Sequence, residues 1–328
     1  MAAERPDVLF IGPLRKHLLE QLSKAFTVHQ APTLKEVGDD LVTRAAPLVR
    51  AAAIGGHPGS IDGALMAKLP KLEFVSSFGV GYDNVDVKYA ASHGITVTNT
   101  PDVLNEEVAD TALGLLLCTV RQFPQVDRYI RAGKWPQHGD YPLSQSLHDR
   151  TVGMVGLGRI GRAITRRLDA MKVPVVYHTR TKQPDVAYRH YPSLVDMARD
   201  VDVLLVITPG GAATRNLINA EVLDALGANG ILINLSRGSV VDEPALIKAL
   251  QENKILSAGL DVFAKEPHVP KELIEMEHVV LFPHVGSASI HTRRAMEQLV
   301  VDNLLAWTAG KPPLTPVPET PWPPKKRT

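Results

Sequence analysis

The feature of this sequence that most constrains its fold is an alternation of short apolar runs with stretches of helical length, which begins at Thr151. The apolar runs are rich in Val, Ile and Leu and read TVGMVG, VPVVYH, DVLLVITP, GILINLS, ILSAGLDVF and HVVLFPH. Strands that alternate with helices pair in parallel, because each crossover returns the chain to the same end of the sheet. We therefore predict a doubly wound α/β domain over this part of the chain.

The first hundred residues contain a second group of predicted strands, DVLFIG, LEFVSSFG and ITVTNTP. Between the two groups, NEEVADTALGLLLCTVRQF predicts a helix with Val108, Ala112, Leu115 and Leu116 on one side, and we place a domain boundary near its start. Residues 131–149 are polar, contain Pro and Gly, and predict a loop. The Pro-rich end, PPLTPVPETPWPPKKRT, is expected to be disordered or to wrap over the surface, with KKR as a solvated tail.

Composition excludes several classes of function. Lys and Arg number 36 against 35 Asp and Glu, so no global charge attracts nucleic acid or an anionic membrane. The charged start, MAAERPDVLFIG, predicts a first strand rather than a signal peptide, and the chain lacks an apolar run of about 20 residues that would span a membrane. Cys118 is the only cysteine, in an apolar run. These features are those expected of a cytoplasmic protein.

A glycine-rich turn predicts the cofactor site. Gly156, Gly158 and Gly161 follow the first apolar run in G-x-G-x-x-G spacing, and Arg159 and Ile160 open the helix behind them. The first glycine permits a tight turn, the second lets a pyrophosphate approach the backbone, and the third lets helix and strand pack closely. The competing interpretation is an ordinary βα turn without a ligand. The strand before the turn and the helix after it favour dinucleotide binding.

The segment after the second strand predicts which dinucleotide binds. An acid at this place bonds the ribose 2′-hydroxyl of NAD, but here Thr179, Arg180 and Thr181 follow His178. Two hydroxyls and a guanidinium suit a 2′-phosphate instead, so we predict NADPH. The alternatives are that HTRTK is only a solvated loop, or that His178 holds the acid's place.

Three predicted strands of the second group end in polar residues that suit the reduction of a 2-oxo acid. Arg237 follows GILINLS, Asp261 and Glu266 follow ILSAGL, and His284 ends HVVLFPH. Carboxyl ends of parallel strands meet at one edge of the sheet, where ligands bind. An imidazolium can donate a proton, a carboxylate can orient it, and an arginine can bind a carboxylate and polarise a carbonyl. No metal is required for this chemistry.

Nearly the whole chain resembles the D-isomer-specific 2-hydroxyacid dehydrogenase family, and most closely its NADPH-dependent hydroxypyruvate, glyoxylate and hydroxyphenylpyruvate reductases. The motifs that carry the resemblance are FGVGYDNVD (78–86), NTPDVLNEEVADTALGLLL (99–117), GLGRIG (156–161), NLSRGSVVDEPAL (234–246), GLDVFAKEP (259–267) and PHVGSAS (283–289). The departure from the family pattern is the missing acid after the second strand, which puts NAD in doubt as the cofactor.

The resemblance implies a fold of two α/β lobes. A Rossmann-type NADP-binding domain is expected over residues 100–284, and a flavodoxin-like substrate domain over 1–99 and 285–328. It also implies that the protein forms homodimers through the cofactor domain, with help from a long helix at 105–121. Trp135, Tyr141 and Leu143 are expected to brace their loop, the alternative being that they line the substrate pocket of this subunit or of a partner subunit.

The resemblance also implies roles for single residues. His284 corresponds to the acid/base, Glu266 to its partner, and Arg237 to the arginine that binds the substrate carboxylate. Val80 and Gly81 match the loop whose N–H groups hold that carboxylate, and His284 also belongs to the substrate set. The implied cofactor set is Gly156, Gly158, Arg159, Ile160, Gly161, Thr179, Arg180, Thr181, Thr208, Pro209, Asp261, His284 and Gly286.

The expected reaction is reduction of a small 2-oxo acid to a D-2-hydroxy acid, and the sequence does not choose among glyoxylate, hydroxypyruvate and hydroxyphenylpyruvate. One alternative is another enzyme of the family, of the D-lactate or phosphoglycerate type. The phosphoglycerate type is less expected, because the chain ends soon after Trp307 and leaves no room for a regulatory domain. The other alternative is a dinucleotide-sensing corepressor without enzymatic activity.

Overall fold

A computed structural model divides the chain into two compact units, and it describes residues 5–13, 15–56 and 58–323. The first unit comprises Met1–Leu104 and Ile290–Thr328, and the second comprises Asn105–Ser289. The chain passes between the units at 104/105 and 289/290, whereas the sequence predicted 99/100 and 284/285. The KKR tail lies outside the described residues.

The first unit is a parallel sheet with helices in its connections. Its elements before the crossing are β1 Asp7–Ile11, α1 Lys16–Ala25, β2 Thr27–Ala31, α2 Asp39–Ala45, β3 Ala51–Ile54, α3 Gly63–Ala67, β4 Phe74–Ser77, α4 Val87–Ser92 and β5 Thr96–Thr98. The strand order is β2-β1-β3-β4-β5, and every pairing is parallel. This is the flavodoxin-like order 2-1-3-4-5.

The second unit is a larger parallel sheet. Its elements are α5 Asn105–Arg121, α6 Phe123–Arg131, α7 Lys134–His138, β6 Val152–Val155, α8 Arg159–Ala170, β7 Val175–His178, β8 Arg189–His190, α9 Leu194–Asp200, β9 Val203–Val206, α10 Ala220–Leu226, β10 Ile231–Asn234, α11 Glu243–Gln251, β11 Ser257–Leu260, α12 Lys271–Glu275 and β12 Val280–Leu281. The strand order is β12-β11-β10-β9-β6-β7-β8. The chain thus runs outward in both directions from β6, as in a Rossmann sheet.

Both faces of the second sheet are covered, which explains why its strands read as continuous apolar runs. Leu115 of α5 and Ile164 of α8 belong to the core on one face, and Met197 and Leu223 belong to the core on the other. The contact of α5 with the sheet is close. A Cβ built at Gly259 of β11 would lie 3.0 Å from Leu115 Cγ and 2.4 Å from Thr119 Oγ1.

The final helix, α13 Ile290–Thr308, belongs to the first unit. The described part of the Pro-rich segment after it lies against β5. Val317 N donates to Val97 O at 2.9 Å, and Thr320 Oγ1 accepts from Val97 N at 2.8 Å. None of the described helices combines the length and apolar character that a bilayer crossing requires.

The segment after α5 differs from the sequence expectation. The helix predicted through Phe123 ends at Arg121, because Gln122 adopts a left-handed conformation with φ 55° before α6 begins. The expected polar loop at 131–149 contains the short helix α7. With only 5 residues, α7 is too short for a helical periodicity to be recognised in the sequence.

Candidate active site

The Rossmann-type sheet has its switch point between β6 and β9, since β6 pairs with β7 on one side and with β9 on the other. The glycine turn follows β6, and Thr208 and Pro209 follow β9. A crevice forms where crossovers leave neighbouring strands in opposite directions. Two stretches of the expected cofactor set therefore flank the place where a parallel sheet binds a dinucleotide.

Each glycine of the turn has a different surrounding. Gly156 has φ +100°, and a Cβ there would lie 3.0 Å from Ile207 O. A Cβ at Gly161 would lie 2.8 Å from Gly156 O, so the helix and the turn pack too closely for a side chain. A Cβ at Gly158 would meet nothing within 4 Å. The protein's own packing requires the first and third glycines, whereas the second faces open space.

The amino-terminal end of α8 is suited to an anion. Gly158 is its N-cap and supplies no side-chain hydrogen bond, and the first turn contains no acidic residue. N–H groups at a helix start point toward a ligand and carry a partial positive charge. On the other side of the switch point, Thr208 Oγ1 is buried and lacks a hydrogen-bond partner among the described residues. Both features fit a dinucleotide with its pyrophosphate at this turn.

The HTRT segment forms a tight turn with its own hydrogen bonds. Thr179 Oγ1 donates to Thr181 O at 2.7 Å, and His190 Nε2 donates to Thr179 O at 3.0 Å. His178 Nδ1 donates to Tyr191 O at 2.9 Å. Arg180 is exposed and makes no hydrogen bond or ion pair with another described residue. Its guanidinium is thus available to an anion.

An acid does occur further along this loop, but it is already paired. Arg162 of α8 donates to both carboxylate oxygens of Asp185, each at 2.8 Å, and to Gln183 Oε1 at 3.1 Å. The Arg162 guanidinium beside Asp185 holds the pKa of that carboxyl below its usual range. Asp185 therefore secures the loop, a role that the sequence analysis missed because Arg162 and Asp185 lie on different elements.

The strand ends that carry Arg237, Glu266 and His284 are neighbours, since the sheet order places β10, β11 and β12 side by side. His284 Nδ1 donates to Glu266 Oε2 at 2.7 Å, and Glu266 Oε1 accepts from Phe263 N at 3.1 Å. The His284 side chain is 41% exposed and that of Glu266 is 16% exposed. The carboxylate is thus held in place while the far side of the imidazole remains accessible.

Asp261 anchors the turn that carries His284. Its carboxylate accepts from Val285 N at 2.7 Å and Gly286 N at 2.9 Å, and its carbonyl accepts from His284 N at 2.8 Å. Burial raises the pKa of Asp261, while these two N–H donors and the nearby His284 oppose the rise. His284 has φ 54°, the left-handed region that a histidine seldom adopts. The family resemblance implied a cofactor role for Asp261 and Gly286, whereas this anchoring role depends on contacts that no sequence pattern predicted.

Arg237 follows β10 and is partly buried. Its Nη1 donates to Ser236 O at 2.8 Å, and its own carbonyl accepts from Asn234 Nδ2 at 3.2 Å. The next residue explains the local packing. A Cβ at Gly238 would lie 1.9 Å from the Phe263 carbonyl carbon, so the loops after β10 and β11 are in direct contact.

Val80 and Gly81 lie in the first unit, in the loop after β4. Asn99 Nδ2 donates to Val80 O at 2.7 Å, and Gly79 is bonded to Thr100 through both its N–H and its carbonyl. The N–H groups of Val80 and Gly81 donate to no other described residue. The loop is held through Gly79 and through the Val80 carbonyl, and the N–H groups of Val80 and Gly81 remain available.

The expected bracing role is met by only part of the segment at 135–143. Tyr141 packs edge-on against Tyr129 and donates to Gln122 Oε1 at 2.9 Å. Trp135 donates to Asp140 at 3.3 Å, although its side chain is largely exposed. Leu143 is fully exposed, so the bracing expectation is wrong for this residue.

Among the described residues, no group of three His, Cys, Asp or Glu could hold a metal.

A Rossmann-type switch point with a glycine turn, beside a histidine–glutamate pair at a strand end, defines a dinucleotide-binding protein of the dehydrogenase type. The model of the D-isomer specific 2-hydroxyacid dehydrogenase NAD binding domain matches residues 113–286, more than half of the chain. The chain belongs to the D-isomer specific 2-hydroxyacid dehydrogenase family, which confirms the resemblance and the α/β fold class.

Several proteins are similar to this chain along nearly their whole length. A glyoxylate/hydroxypyruvate reductase of Arabidopsis thaliana is 47% identical over 96% of this chain and 99% of its own. The hydroxyphenylpyruvate reductase of Plectranthus scutellarioides is 44% identical with the same coverage. The crystal structure of an NADPH-dependent glyoxylate/hydroxypyruvate reductase from Sinorhizobium meliloti, with NADP and malonate, is 51% identical with a TM-score of 0.92, covering 97% of this chain and 98% of that chain.

Proposed function

We propose that this protein uses NADPH to reduce small 2-oxo acids to D-2-hydroxy acids, with hydroxypyruvate and glyoxylate as substrates and hydroxyphenylpyruvate as a further candidate. The observation that carries the proposal is the 2.7 Å hydrogen bond between His284 and Glu266 at the carboxyl edge of a sheet whose switch point suits a dinucleotide. Support also comes from the relatives, whose names are those of reductases of these acids.

His284 is the proposed acid. With Nδ1 held by Glu266, the imidazolium presents Nε2 to the substrate, and reduction of the carbonyl delivers the Nε2 proton to the developing alkoxide oxygen. Glu266 keeps the ring in one orientation and stabilises its charged form. Asp261 anchors the left-handed turn at His284 and so fixes the backbone that carries the ring.

Arg237 is the proposed ligand of the substrate carboxylate. A guanidinium presents paired N–H donors to a carboxylate, and its charge also polarises the carbonyl next to it. In the first unit, Val80 and Gly81 are the proposed N–H donors to the substrate carboxylate, because their own N–H groups donate to no other described residue.

NADP(H) is the proposed cofactor, and when bound it supplies or accepts the hydride. Gly156, Gly158 and Gly161, with the first turn of α8 at Arg159 and Ile160, would hold its pyrophosphate. Thr208 and Pro209 flank the same switch point. Thr179, Arg180 and Thr181 would bind its 2′-phosphate. We assign Asp261 and Gly286 to the same region, next to the turn that carries His284.

The test measures the rate of NADPH oxidation with glyoxylate, hydroxypyruvate and hydroxyphenylpyruvate in turn. The rate is followed as the loss of NADPH absorbance. We expect His284→Ala to lose on the order of a hundredfold or more in kcat. Arg237→Lys should raise KM despite keeping the charge, because the fork of donors is lost. The control is His148→Ala, which removes an exposed histidine of the same unit.

Wild-type protein that oxidises NADPH with none of these acids would contradict the proposal and would favour a dinucleotide-sensing role. Reduction of other 2-oxo acids alone would favour a different enzyme of the family. Near-normal turnover by His284→Ala would refute the assignment of the acid while leaving the reaction itself intact.

We also propose that the protein acts as a homodimer in the cytoplasm. Phe123 and Ile130 of α6, Trp135 of α7 and Leu143 expose large apolar side chains on one segment of the cofactor unit. Such side chains are typical of a surface that a second copy covers. The single cysteine suits a reducing compartment. Sedimentation of the wild type and of Leu143→Ser with Phe123→Ser tests the dimer, and a monomeric wild type would contradict it.

A further inference from the structure

The two N–H donors proposed for the substrate carboxylate belong to consecutive peptide groups. Both peptide groups are planar and trans, so in each of them the N–H and the carbonyl point in opposite directions. The Val80 N–H therefore points away from Gly79 O, and the Gly81 N–H points away from Val80 O. Whatever holds these two carbonyls also sets the direction of both donors.

Both carbonyls are held by the two residues that follow β5. Thr100 N donates to Gly79 O at 2.8 Å, and Thr100 Oγ1 accepts from Gly79 N at 2.9 Å. Asn99 Nδ2 donates to Val80 O at 2.7 Å. Both loop N–H donors therefore point away from the same stretch of chain, which is the arrangement that two donors to one carboxylate require.

Asn99 is itself held by the C-terminal segment, residues 312–320. Thr315 Oγ1 donates to Asn99 O at 2.7 Å, and Asn99 N donates to Thr315 O at 3.3 Å. Both polar groups of the Asn99 backbone are thus bonded to Thr315. These bonds fix the point from which the Asn99 side chain reaches Val80.

The buried side chain of Asn303 in α13 fixes Thr315 in turn. Its Nδ2 donates to Thr315 Oγ1 at 2.9 Å, and its Oδ1 accepts from Thr315 N at 3.1 Å. Asn303 is completely buried, where a polar group without a partner is costly. The Thr315 hydroxyl accepts from Asn303 and donates to Asn99, so α13, the C-terminal segment and the end of β5 form one chain of hydrogen bonds that leads to the substrate loop.

The C-terminal segment also bonds to the substrate loop directly. The Tyr82 hydroxyl donates to the Glu319 carboxylate, at 3.3 and 3.2 Å from its two oxygens. Burial and the charge of Glu319 raise the pKa of Tyr82, so the phenol keeps its proton and remains a donor. Tyr82 directly follows Gly81, so this bond holds the other end of the loop.

We propose that Asn99 and Thr315 are positioning residues for substrate binding, through which the C-terminal segment directs the two loop N–H donors at the substrate carboxylate. The inference rests on the proposed function for the role of this loop. The carboxylate does not change during reduction, so its donors bind the substrate and the transition state equally. Misdirecting them should therefore raise KM and leave kcat nearly unchanged.

The test replaces Thr315 with valine, which has the same shape but no hydroxyl. Complete loss of one hydrogen bond to a charged group weakens binding by roughly tenfold or more. Thr315→Val acts at one remove, so it should raise KM for glyoxylate and hydroxypyruvate by roughly three- to tenfold. Asn99→Ala removes the donor to Val80 O and should raise KM by roughly tenfold. Thr315→Ser keeps the hydroxyl and should have the wild-type KM.

The matched control is Thr320→Val, which makes the same chemical change in the same segment. Thr320 Oγ1 bonds to the backbone of Val97 within β5, whereas Thr315 Oγ1 bonds to the residue that holds Val80. Thr320→Val should lower stability and leave both KM values unchanged. Equal rises in KM for Thr315→Val and Thr320→Val would mean that Thr315 acts only through stability, and would overturn the inference. Thr315→Ser as impaired as Thr315→Val would also overturn it.

Binding of oxamate, an unreactive analogue of a 2-oxo acid, separates this inference from the proposed function. Calorimetric titration in the presence of NADPH needs no turnover, and Kd for oxamate should rise by the same factors in Thr315→Val and Asn99→Ala. Wild-type protein that binds oxamate in this pattern but reduces no 2-oxo acid would refute the proposed function alone. Wild-type protein that binds no oxamate, or equal binding in all variants, would overturn the inference. Thermal unfolding establishes that each variant is folded at the assay temperature, and Asn99→Ala serves as the test if Thr315→Val is not.

Discussion

The glycine turn allows a prediction that separates binding from folding. Gly158 and Gly161 lie three residues apart, but a Cβ would meet nothing within 4 Å at Gly158 and would lie 2.8 Å from Gly156 O at Gly161. Gly158 has φ −77°, which alanine adopts without strain. We therefore expect Gly158→Ala to impair NADPH binding in a folded protein, and Gly161→Ala to impair folding.

The magnitudes follow from these contacts. At Gly158, the methyl group would occupy the approach of the pyrophosphate to the helix start. Losing one such charge-assisted hydrogen bond, at roughly 1.5–3 kcal/mol, weakens NADPH about ten- to a hundredfold. The lower unfolded-state entropy of alanine offsets its poorer capping, so the free energy of unfolding should change by less than about 1 kcal/mol.

At Gly161 the overlap is with backbone, which cannot rotate away. Overpacking of this kind costs about 1–3 kcal/mol, and the better helix propensity of alanine returns about 1 kcal/mol. The net loss is up to about 2 kcal/mol, which lowers the Tm of a unit of this size by up to roughly 8 °C.

The assay is NADPH titration by fluorescence together with thermal unfolding of each apoprotein. Gly114→Ala is the control, because Gly114 lies within α5 and its Cβ would also meet nothing within 4 Å. It should unfold at a slightly higher temperature and bind NADPH normally. Wild-type affinity in Gly158→Ala would refute the role of the second glycine, and a Tm above that of the wild type in Gly161→Ala, as helix propensity alone would give, would refute the packing argument.

Three further perturbations have defined outcomes. Arg180→Ala should weaken NADPH by roughly one to two orders of magnitude and leave NADH nearly unchanged, and Thr179→Asp should shift preference further toward NADH; an unchanged ratio of kcat/KM for the two cofactors would contradict this. Thr320→Val leaves the buried Val97 N–H without its acceptor and should cost about 1–3 kcal/mol in urea unfolding, whereas an unchanged midpoint would show that the C-terminal segment contributes little. Burial raises the pKa of the Cys118 thiol, so at pH 8 less of it is thiolate than in an ordinary cysteine, and iodoacetamide should alkylate it more slowly than free glutathione; equal rates measured by mass spectrometry would argue against burial.

The sequence by itself determined the α/β class and the position of the chemistry. Every apolar run selected after Thr151 is a strand or contains one, because a strand covered on both faces must be apolar throughout. Arg237, Glu266 and His284 could be grouped without coordinates, since carboxyl ends of parallel strands share one edge. The glycine spacing predicted the turn at β6 for a similar reason, because Gly156 and Gly161 each answer a steric demand within a few residues, whereas Gly158 leaves its backbone open.

Only the tertiary structure decided which weak segments become strands. β3 reads Ala51–Ile54 and β2 reads Thr27–Ala31, and neither has the alternation or the β-branched content that predicts a strand. They are strands because both pair with β1, and β3 is buried on both faces. The unfavourable propensity of an alanine run is small compared with the free energy of that pairing and burial.

The groups that depend on contacts between distant elements were also decided by the tertiary structure. Asp261 anchors the His284 turn, Arg162 neutralises Asp185, and Arg15 meets Arg293 on Phe78, although no spacing in the chain relates these partners. A local sequence pattern reflects the steric and burial requirements of a single turn or strand, and it extends over only a few residues. A hydrogen bond or ring contact between separate elements depends on strand order and packing, and these are properties of the folded unit as a whole.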